Sequence, residues 1–386
     1  MNPAPVMAFS CPVKTNSGDK ALEHLPVELA GLNAFRPVIV TSEKAVGRKA
    51  IRTLTGAFGD SGMALGLFDA VPDDADLDLI DQLKINCIEK QYDAVIALGG
   101  GIVTDAAKVL NLAVSLKVAD AGQLSKETPI RKHLLPLVAV PTAAATGLEA
   151  SKLAHLNRTV FSSEFLAPDL VVMDPRLTSG NDGKQMAATG LAALGRALEA
   201  HISADKNPFR DAYSFAAIRF IRENLLAAVA DPGNRKASLA VANAATMSGC
   251  AFSNTDDALL HKLGQVFYDM QRIHPGIIMA MCLPHVLRDY PDQDRHDLSA
   301  LLHPLARDDE FARTPIAKRT DAALAVLGRF LDDLHKALGN GLPRTLREAG
   351  IPRYRMDDIL EALGTDRDGP LLCAVVERIW GDKPGT

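Results

Sequence analysis

The run Ala94-Val95-Ile96-Ala97-Leu98-Gly99-Gly100-Gly101-Ile102-Val103-Thr104-Asp105 carries the clearest structural signal in the chain. Five apolar residues with no alternating polar partner read as a strand buried on both faces, the pattern of a parallel sheet. Three glycines follow, and then Asp105 to Lys117 places apolar residues at helical spacing. Glycines at a strand-to-helix turn let a pyrophosphate approach the backbone, while the helix N-terminus offers unpaired N–H groups and the positive end of its dipole. The spacing is not G-x-G-x-x-G, so the turn alone serves equally as a tight connection or as a nucleotide cradle.

Outward from this run, Pro37 to Thr41, Leu137 to Val140 and Leu170 to Met173 repeat the β-branched pattern, and Asp78 to Lys90 repeats the helical one. The first half reads as an open, mostly parallel α/β sheet. From Asn181 the periods lengthen into helices over Lys184 to Ser203, Pro208 to Val229, Asn234 to Ser248 and Ala322 to Leu338. Two domains are expected: residues 1–180, an α/β domain, and residues 181–386, an all-α domain. Gly276 to Leu283 suits strand or helix, and the polar segment His303 to Lys318 reads as a surface loop. A second small-residue turn, Pro141 to Gly147, follows the strand at Leu137. Turns at the carboxyl ends of neighbouring strands line one crevice, which raises the case for a nucleotide.

Composition bounds the partners. The chain has 386 residues, 47% hydrophobic and 23% charged, with 42 basic and 47 acidic side chains and a formal charge of −5. No basic stripe of the kind that tracks a phosphate backbone is present, so nucleic acid is not an expected partner. The first residues lack a basic segment followed by an apolar one, and no apolar run reaches the roughly 18 residues of a membrane span. The five cysteines, Cys11, Cys87, Cys250, Cys282 and Cys373, are scattered and form no CxxC pair. Neither a disulfide framework nor a thiolate zinc site is indicated, and a cytoplasmic protein with inert thiols is expected.

Gly99 to Lys108 resembles the GGGSxxDxAK signature of the iron-containing alcohol dehydrogenase family, with Ile102 at its serine, and Pro141 to Glu149 resembles the family's PTTAGTGSE segment. Asp174 to Thr178, Thr189-Gly190 with Glu199-Ala200, Asn207-Pro208 with Asp211-Ala212, Ala251 to Asn254, Leu283 to Val286 and Leu342 to Leu346 follow in family order. The resemblance spans about Pro37 to Pro352. It implies that residues 1–180 form a dinucleotide-binding domain and residues 181–386 a helical domain completing the active-site cleft, with NAD or NADP as cofactor, a small-molecule carbonyl or alcohol as substrate, and a homodimer or larger assembly. It places Gly99, Gly100, Gly101, Asp105, Thr142 and Ala143 on the dinucleotide. Ser42 stands where many NAD-preferring members carry an aspartate, which makes NADP admissible, although Glu43 is adjacent.

The same resemblance exposes departures at the family's metal. The TGxDxxxHxxE pattern, whose aspartate and histidine share a helix face, falls on Thr189 to Glu199 with Ala192 and Arg196 at the two ligand positions. The third ligand falls on His261, the cleft-facing second histidine becomes Gln265, and the last falls on Pro275 with His274 before it. One imidazole beside a guanidinium does not hold a hard divalent ion, so no metal is expected. Arg196, His261, Gln265 and His274 become the candidate catalytic group, with arginine polarising a carbonyl or clamping an anionic group and a histidine relaying the proton. The segment His261 to Gln265 resembles part of the maleylacetate reductases, which work without metal on substrates carrying carboxylates. The functional expectation is a metal-independent NAD(P)-dependent oxidoreductase acting on a small aldehyde, ketone or alcohol. The alternative is a catalytically silent nucleotide-binding homologue with a sensing or scaffold role. His133, His155, His201, His285 and His303 read as surface or core residues.

Overall fold

The computed structural model describes residues 7–125, 127–142, 145–156, 159–180, 182–203, 205–255, 258–289, 298–364 and 368–380, and for Ala45 the backbone alone. Six strands, β1 (Lys14–Ser17), β2 (Pro37–Thr41), β3 (Gly66–Phe68), β4 (Ala94–Leu98), β5 (Leu137–Val140) and β8 (Leu170–Met173), form one sheet. Its order is β3-β2-β4-β5-β8-β1 and every pair is parallel. A separate antiparallel hairpin joins β6 (Leu153–Leu156) to β7 (Thr159–Ser162). In the first half the helices are α1 (Leu25–Gly31), α2 (Glu43–Gly56), α3 (Leu77–Glu89) and α4 (Gly101–Leu116).

Every residue of β2, β4, β5 and β8 is buried. Their side chains alternate between the two faces of the sheet, as the two-residue period of a strand requires. Val95 and Ala97 join the core that includes Ala106 and Leu110 of α4, whereas Ile96 and Leu98 join the one that includes Leu29 of α1 and Leu54 of α2. The chain runs from β2 to the sheet edge at β3 and returns to β4 on the other side of β2. That reversal opens a crevice at the strands' carboxyl ends.

After β8 the described chain is helical: α5 (Pro175–Thr178), α6 (Gly183–Ile202), α7 (Pro208–Ala230), α8 (Arg235–Phe252), α9 (Leu259–Gln271), α10 (Pro275–Asp289), α11 (Leu302–Leu305), α12 (Asp308–Arg313), α13 (Arg319–Ala337), α14 (Met356–Leu363) and α15 (Gly369–Ile379). The central α6 is buried along almost its whole length. Glycines allow its neighbours in: a Cβ on Gly276 of α10 would lie 1.8 Å from Ala188 O, and one on Gly190 would lie 2.5 Å from Leu225 of α7. Gly276 to Leu283, open between strand and helix in the sequence, is helix and lies within α10. The segment His303 to Lys318 is not the expected loop. Leu302 and Leu305 are buried, Asp308, Asp309 and Glu310 occupy the first turn of α12 where its dipole favours anions, and Arg219 of α7 holds Asp308 at 2.8 Å. No helix among the described residues is long and apolar enough to cross a membrane.

Candidate active site

The carboxyl ends of β4 and β5 face α6, α9 and the start of α10 across a cavity of about 640 Å³. From the sheet side it is lined by Gly99 to Asp105, by Pro141-Thr142, and by Ala145, Thr146, Leu148 and Glu149. From the helical side come Gln185, Thr189, Ala192 and Arg196 of α6, and Gln265, Tyr268, Asp269 and Arg272 of α9. Each set recurs every three or four residues, so one stripe of each helix forms the wall.

Gly100 is the N-cap of α4 in extended conformation, and a Cβ there would meet no protein atom within 4 Å. Gly99 is confined on its other side, where a Cβ would lie 3.0 Å from Val103. Together with Gly101 they present a bare backbone and the N-terminus of α4 to the cavity, a surface suited to an anion. Thr142, 8% exposed, ends β5 beside it. Ala143 lies outside the described residues. Ser42 caps β2 and bridges to Ala70, and it does not line the cavity. Asp105 does, with Oδ1 buried and unpartnered, and burial raises its pKa to about 6 against the opposing charges of Lys108, His155 and Arg196.

The second turn is built from inside. Gly147 adopts φ +98° and abuts Gly249 of α8, where a Cβ would lie 1.9 Å from Gly147 O. Glu149 accepts from the N–H groups of Thr146 (3.2 Å) and Gly147 (2.9 Å) and from Thr246 Oγ1 (3.3 Å). Lys108 Nζ, fully buried, donates to the carbonyls of Leu148 (2.8 Å), Ser151 (2.7 Å) and Leu153 (2.7 Å).

Arg196 is 2% exposed. Its Nη1 donates to Thr146 O at 2.6 Å, its guanidinium lies 5.8 Å from the centre of the Phe252 ring, and its Nε has no partner. Burial lowers its pKa to about 10, with Glu149, Glu199 and Asp105 opposing at longer range. Glu199 is occupied elsewhere: it accepts from Leu260 N and from His261 N (3.2 Å), capping α9, and burial raises its pKa to about 8.

The predicted histidines separate. His274 lines the cavity; its Nδ1 accepts from Gly276 N at 3.1 Å, which leaves the proton of the neutral ring on Nε2. Burial, with Arg196 adding, lowers its pKa to about 4. His261 does not line the cavity. It packs edge-on against Phe252 with centroids 5.0 Å apart, its Nδ1 is unpartnered, and burial lowers its pKa to about 3. Gln265 lines the cavity and donates through Nε2 to Asp269 Oδ1 at 3.1 Å. Asp269 was missed by sequence reasoning, as was His155, whose Nε2 lies 3.3 Å from Asp269 Oδ2. Asp269 follows Gln265 by one helical turn, a signal that could have found it. His155 alternates in β6 with buried Ala154 and Leu156, which turns it away from their core. Although burial alone would raise the Asp269 pKa, its contact with His155 lowers it.

Two family models match the chain: iron-containing alcohol dehydrogenase over residues 12–175, and the C-terminal part of the Fe-containing alcohol dehydrogenase family over residues 186–366. The chain belongs to the iron-containing alcohol dehydrogenase family. Within it, this member is 33% identical over 270 residues to the 1,3-propanediol dehydrogenase of Klebsiella pneumoniae, covering 67% of this chain and 68% of the relative. It is 28% identical over 291 residues to the NAD-dependent methanol dehydrogenase of Bacillus methanolicus, covering 72% and 74%. The solved alcohol dehydrogenase from Oenococcus oeni superposes with a TM-score of 0.84 over 97% of this chain and all of that one, at 21% identity, a likeness of fold. This family member is accordingly an oxidoreductase of the alcohol dehydrogenase type.

Proposed function

We propose that the protein interconverts a small alcohol and the corresponding aldehyde or ketone with a nicotinamide cofactor, and that Arg196 acts where a Lewis-acidic metal would otherwise stand. The observation that carries this reading is the buried guanidinium on the wall of the cavity that also holds the glycine cradle. A nicotinamide cofactor fits the bare backbone at Gly99 to Gly101, and the Bacillus methanolicus relative is NAD-dependent. When bound, the cofactor supplies or accepts the hydride. The N–H groups at the start of α4 would bind its phosphates, with Thr142 beside them. Ser42 brings no charge and Glu43 after it is held by Arg48 at 2.6 Å; neither lines the cavity, so neither excludes the 2′-phosphate of NADP(H).

The metal-free part of the reading rests on the donor set. Ala192 offers no donor, Arg196 brings a cation, and His261 lies off the cavity wall. Among the described residues no group of three or more His, Cys, Asp or Glu is placed to hold a metal ion. Such a set does not fit a hard divalent cation. Arg196 and the Nε2–H of His274 would instead donate to the substrate oxygen as negative charge develops on it, the work of an oxyanion site. Neutral His274 cannot also give up a proton readily, so the proton passes through His155, held by Asp269.

The test is to titrate chelator-treated protein with NADH and NADPH by nicotinamide fluorescence, then to assay a panel of aldehydes, ketones and oxo-acids, with and without added iron or zinc. Turnover in chelator that is insensitive to metal supports the reading. Turnover appearing only with iron or zinc overturns the role of Arg196, and binding without turnover under every condition overturns the enzyme. His155→Gln should lower turnover while leaving cofactor affinity unchanged.

A further inference from the structure

Two of the five cysteines meet away from the cavity. Residues 8–13 run as a strap across the helical region: Asn207 Nδ2 donates to Ala8 O (2.9 Å), and Phe9 stacks on Phe209 with centroids 5.8 Å apart. Ser10 N donates to Asn254 Oδ1 (2.8 Å), and Asn254 Nδ2 donates both to Ser10 O (2.9 Å) and to Cys250 O (2.8 Å). One side-chain amide therefore ties the backbone of the strap to that of α8 at Cys250. The next strap residue, Cys11, packs with Tyr213 against the core that holds Cys250, close enough to the Cys250 thiol and the Tyr213 hydroxyl for each group to shift the ionisation of the others. Cys11 is half-buried, and Cys250 is buried.

We infer that Cys11 and Cys250 form a reversible redox pair, a peroxide-reactive thiol and its resolving partner, whose disulfide pins the strap to α8. The Cys11 thiolate attacks one oxygen of the peroxide, the O–O bond breaks, and the departing hydroxide takes a proton to become water, leaving Cys11 as sulfenic acid. Cys250 sulfur then displaces hydroxide from Cys11: the S–S bond forms, the S–O bond breaks, and the Cys250 proton leaves with that hydroxide as a second water. Two thiols and one hydrogen peroxide give one disulfide and two waters.

The surroundings favour this order of events. The Cys250 thiol, with Tyr213 and the backbone of Val13, holds Cys11 below the usual thiol range despite burial, whereas Cys11 and its own burial push Cys250 upward. Cys11, the more exposed of the two, is thus the thiol that peroxide reaches, and Cys250 is its buried resolving partner. The remaining thiols are poor candidates: burial raises Cys87 to about 11 and raises Cys282 and Cys373. The pair also sits near the active site in the fold, because α8 continues to Phe252, which packs against both Arg196 and His261.

The test treats the full chain with a small excess of hydrogen peroxide, blocks residual thiols with N-ethylmaleimide, and maps peptides without reduction. The expected result is a peptide pair joined through Cys11 and Cys250, separated by dithiothreitol, with the chain still monomer-length on non-reducing gels. In Cys250→Ser, Cys11 should stop as a sulfenic acid trapped by dimedone. At pH 7 iodoacetamide should alkylate Cys11 about fivefold or more faster than Cys373, a larger thiolate fraction outweighing lower intrinsic nucleophilicity. Cross-linking between chains, oxidation of Cys11 to the sulfinic acid in the unsubstituted protein, or equal alkylation of Cys11 and Cys373 would each overturn the pair. The first and third readings need no variant to fold.

Discussion

Arg196→Met separates a catalytic arginine from a structural one, because the two roles predict opposite changes in stability. The guanidinium is 2% exposed, and burial lowers its pKa from 12.5 to about 10. A displacement of that size corresponds to about 3 kcal/mol against the charged form, at roughly 1.4 kcal/mol per pH unit. The folded-state value lies below the ordinary one, so the penalty is present in full below about pH 10 and is relieved only as pH rises toward 12.5. Methionine removes that penalty while keeping most of the stem. It loses the bond to Thr146 O and the contact with Phe252, together about 1 to 2 kcal/mol. The net expectation is a gain of about 1 to 2 kcal/mol, a rise in Tm of about 1 to 3 °C for a chain of this size. Turnover should fall by about 100- to 1,000-fold, the usual consequence of losing one donor to a developing oxyanion. Circular-dichroism melts at neutral pH and steady-state assays at saturating cofactor read the two effects separately. A drop in Tm of several degrees, or turnover within a few-fold of the parent, would refute the reasoning.

Gly100→Val should leave Tm almost unchanged, since a Cβ there meets no protein atom within 4 Å, yet weaken NADH and NADPH by about tenfold or more in fluorescence titrations, roughly 1.4 kcal/mol of lost phosphate contact. Gly249→Ala should do the reverse: its Cβ would collide with Gly147 O, and forcing α8 from the second turn should lower stability by about 3 kcal/mol in urea denaturation. For Glu199, burial outweighs two backbone donors and raises the pKa from 4.5 to about 8, so the folded state retains a proton that the unfolded chain releases. Stability from this group is therefore lost as pH rises from about 4.5 to about 8, roughly 4 kcal/mol of it between pH 5 and pH 9, and Glu199→Gln should gain Tm relative to its parent by about 4 to 6 °C over that range.

The sheet's centre was legible because strands buried on both faces must be continuous apolar runs, and the four such runs at Pro37, Ala94, Leu137 and Leu170 are strands over the stretches read from sequence. Its edges were not. β1 is Lys-Thr-Asn-Ser and β3 has three residues, and an edge strand needs only its backbone to pair with a neighbour. The glycine cradle was legible for a related reason, since bare backbone beside a helix N-terminus is a local property of consecutive residues. His155 and Asp269 were not, because they come from a hairpin and a helix far apart in sequence and acquire a relation only when those elements meet. His261 was misread as a cavity residue because its place on α9 sets its helical face but not the packing of Phe252 over that face.

Lys108 shows why a matching motif alone does not separate an enzyme from a silent relative. By resemblance it belongs to the nucleotide signature, yet its ammonium is spent on three carbonyls of the Leu148 to Leu153 segment and is fully buried. Losing it would take a charged donor from all three oxygens at once, which in such an interior costs about 1 to 3 kcal/mol. A chain that merely folded would therefore keep this lysine as strictly as one that turned over substrate. The same holds for Gly147, Glu149 and Gly249, which build the second turn. Arg196 differs from all of them. It satisfies a single carbonyl, leaves a buried Nε unpartnered, and has its charged form disfavoured by burial. A residue that burdens the fold in this way at the wall of the cavity is the one whose presence the fold does not explain, and so the one through which catalysis is to be tested.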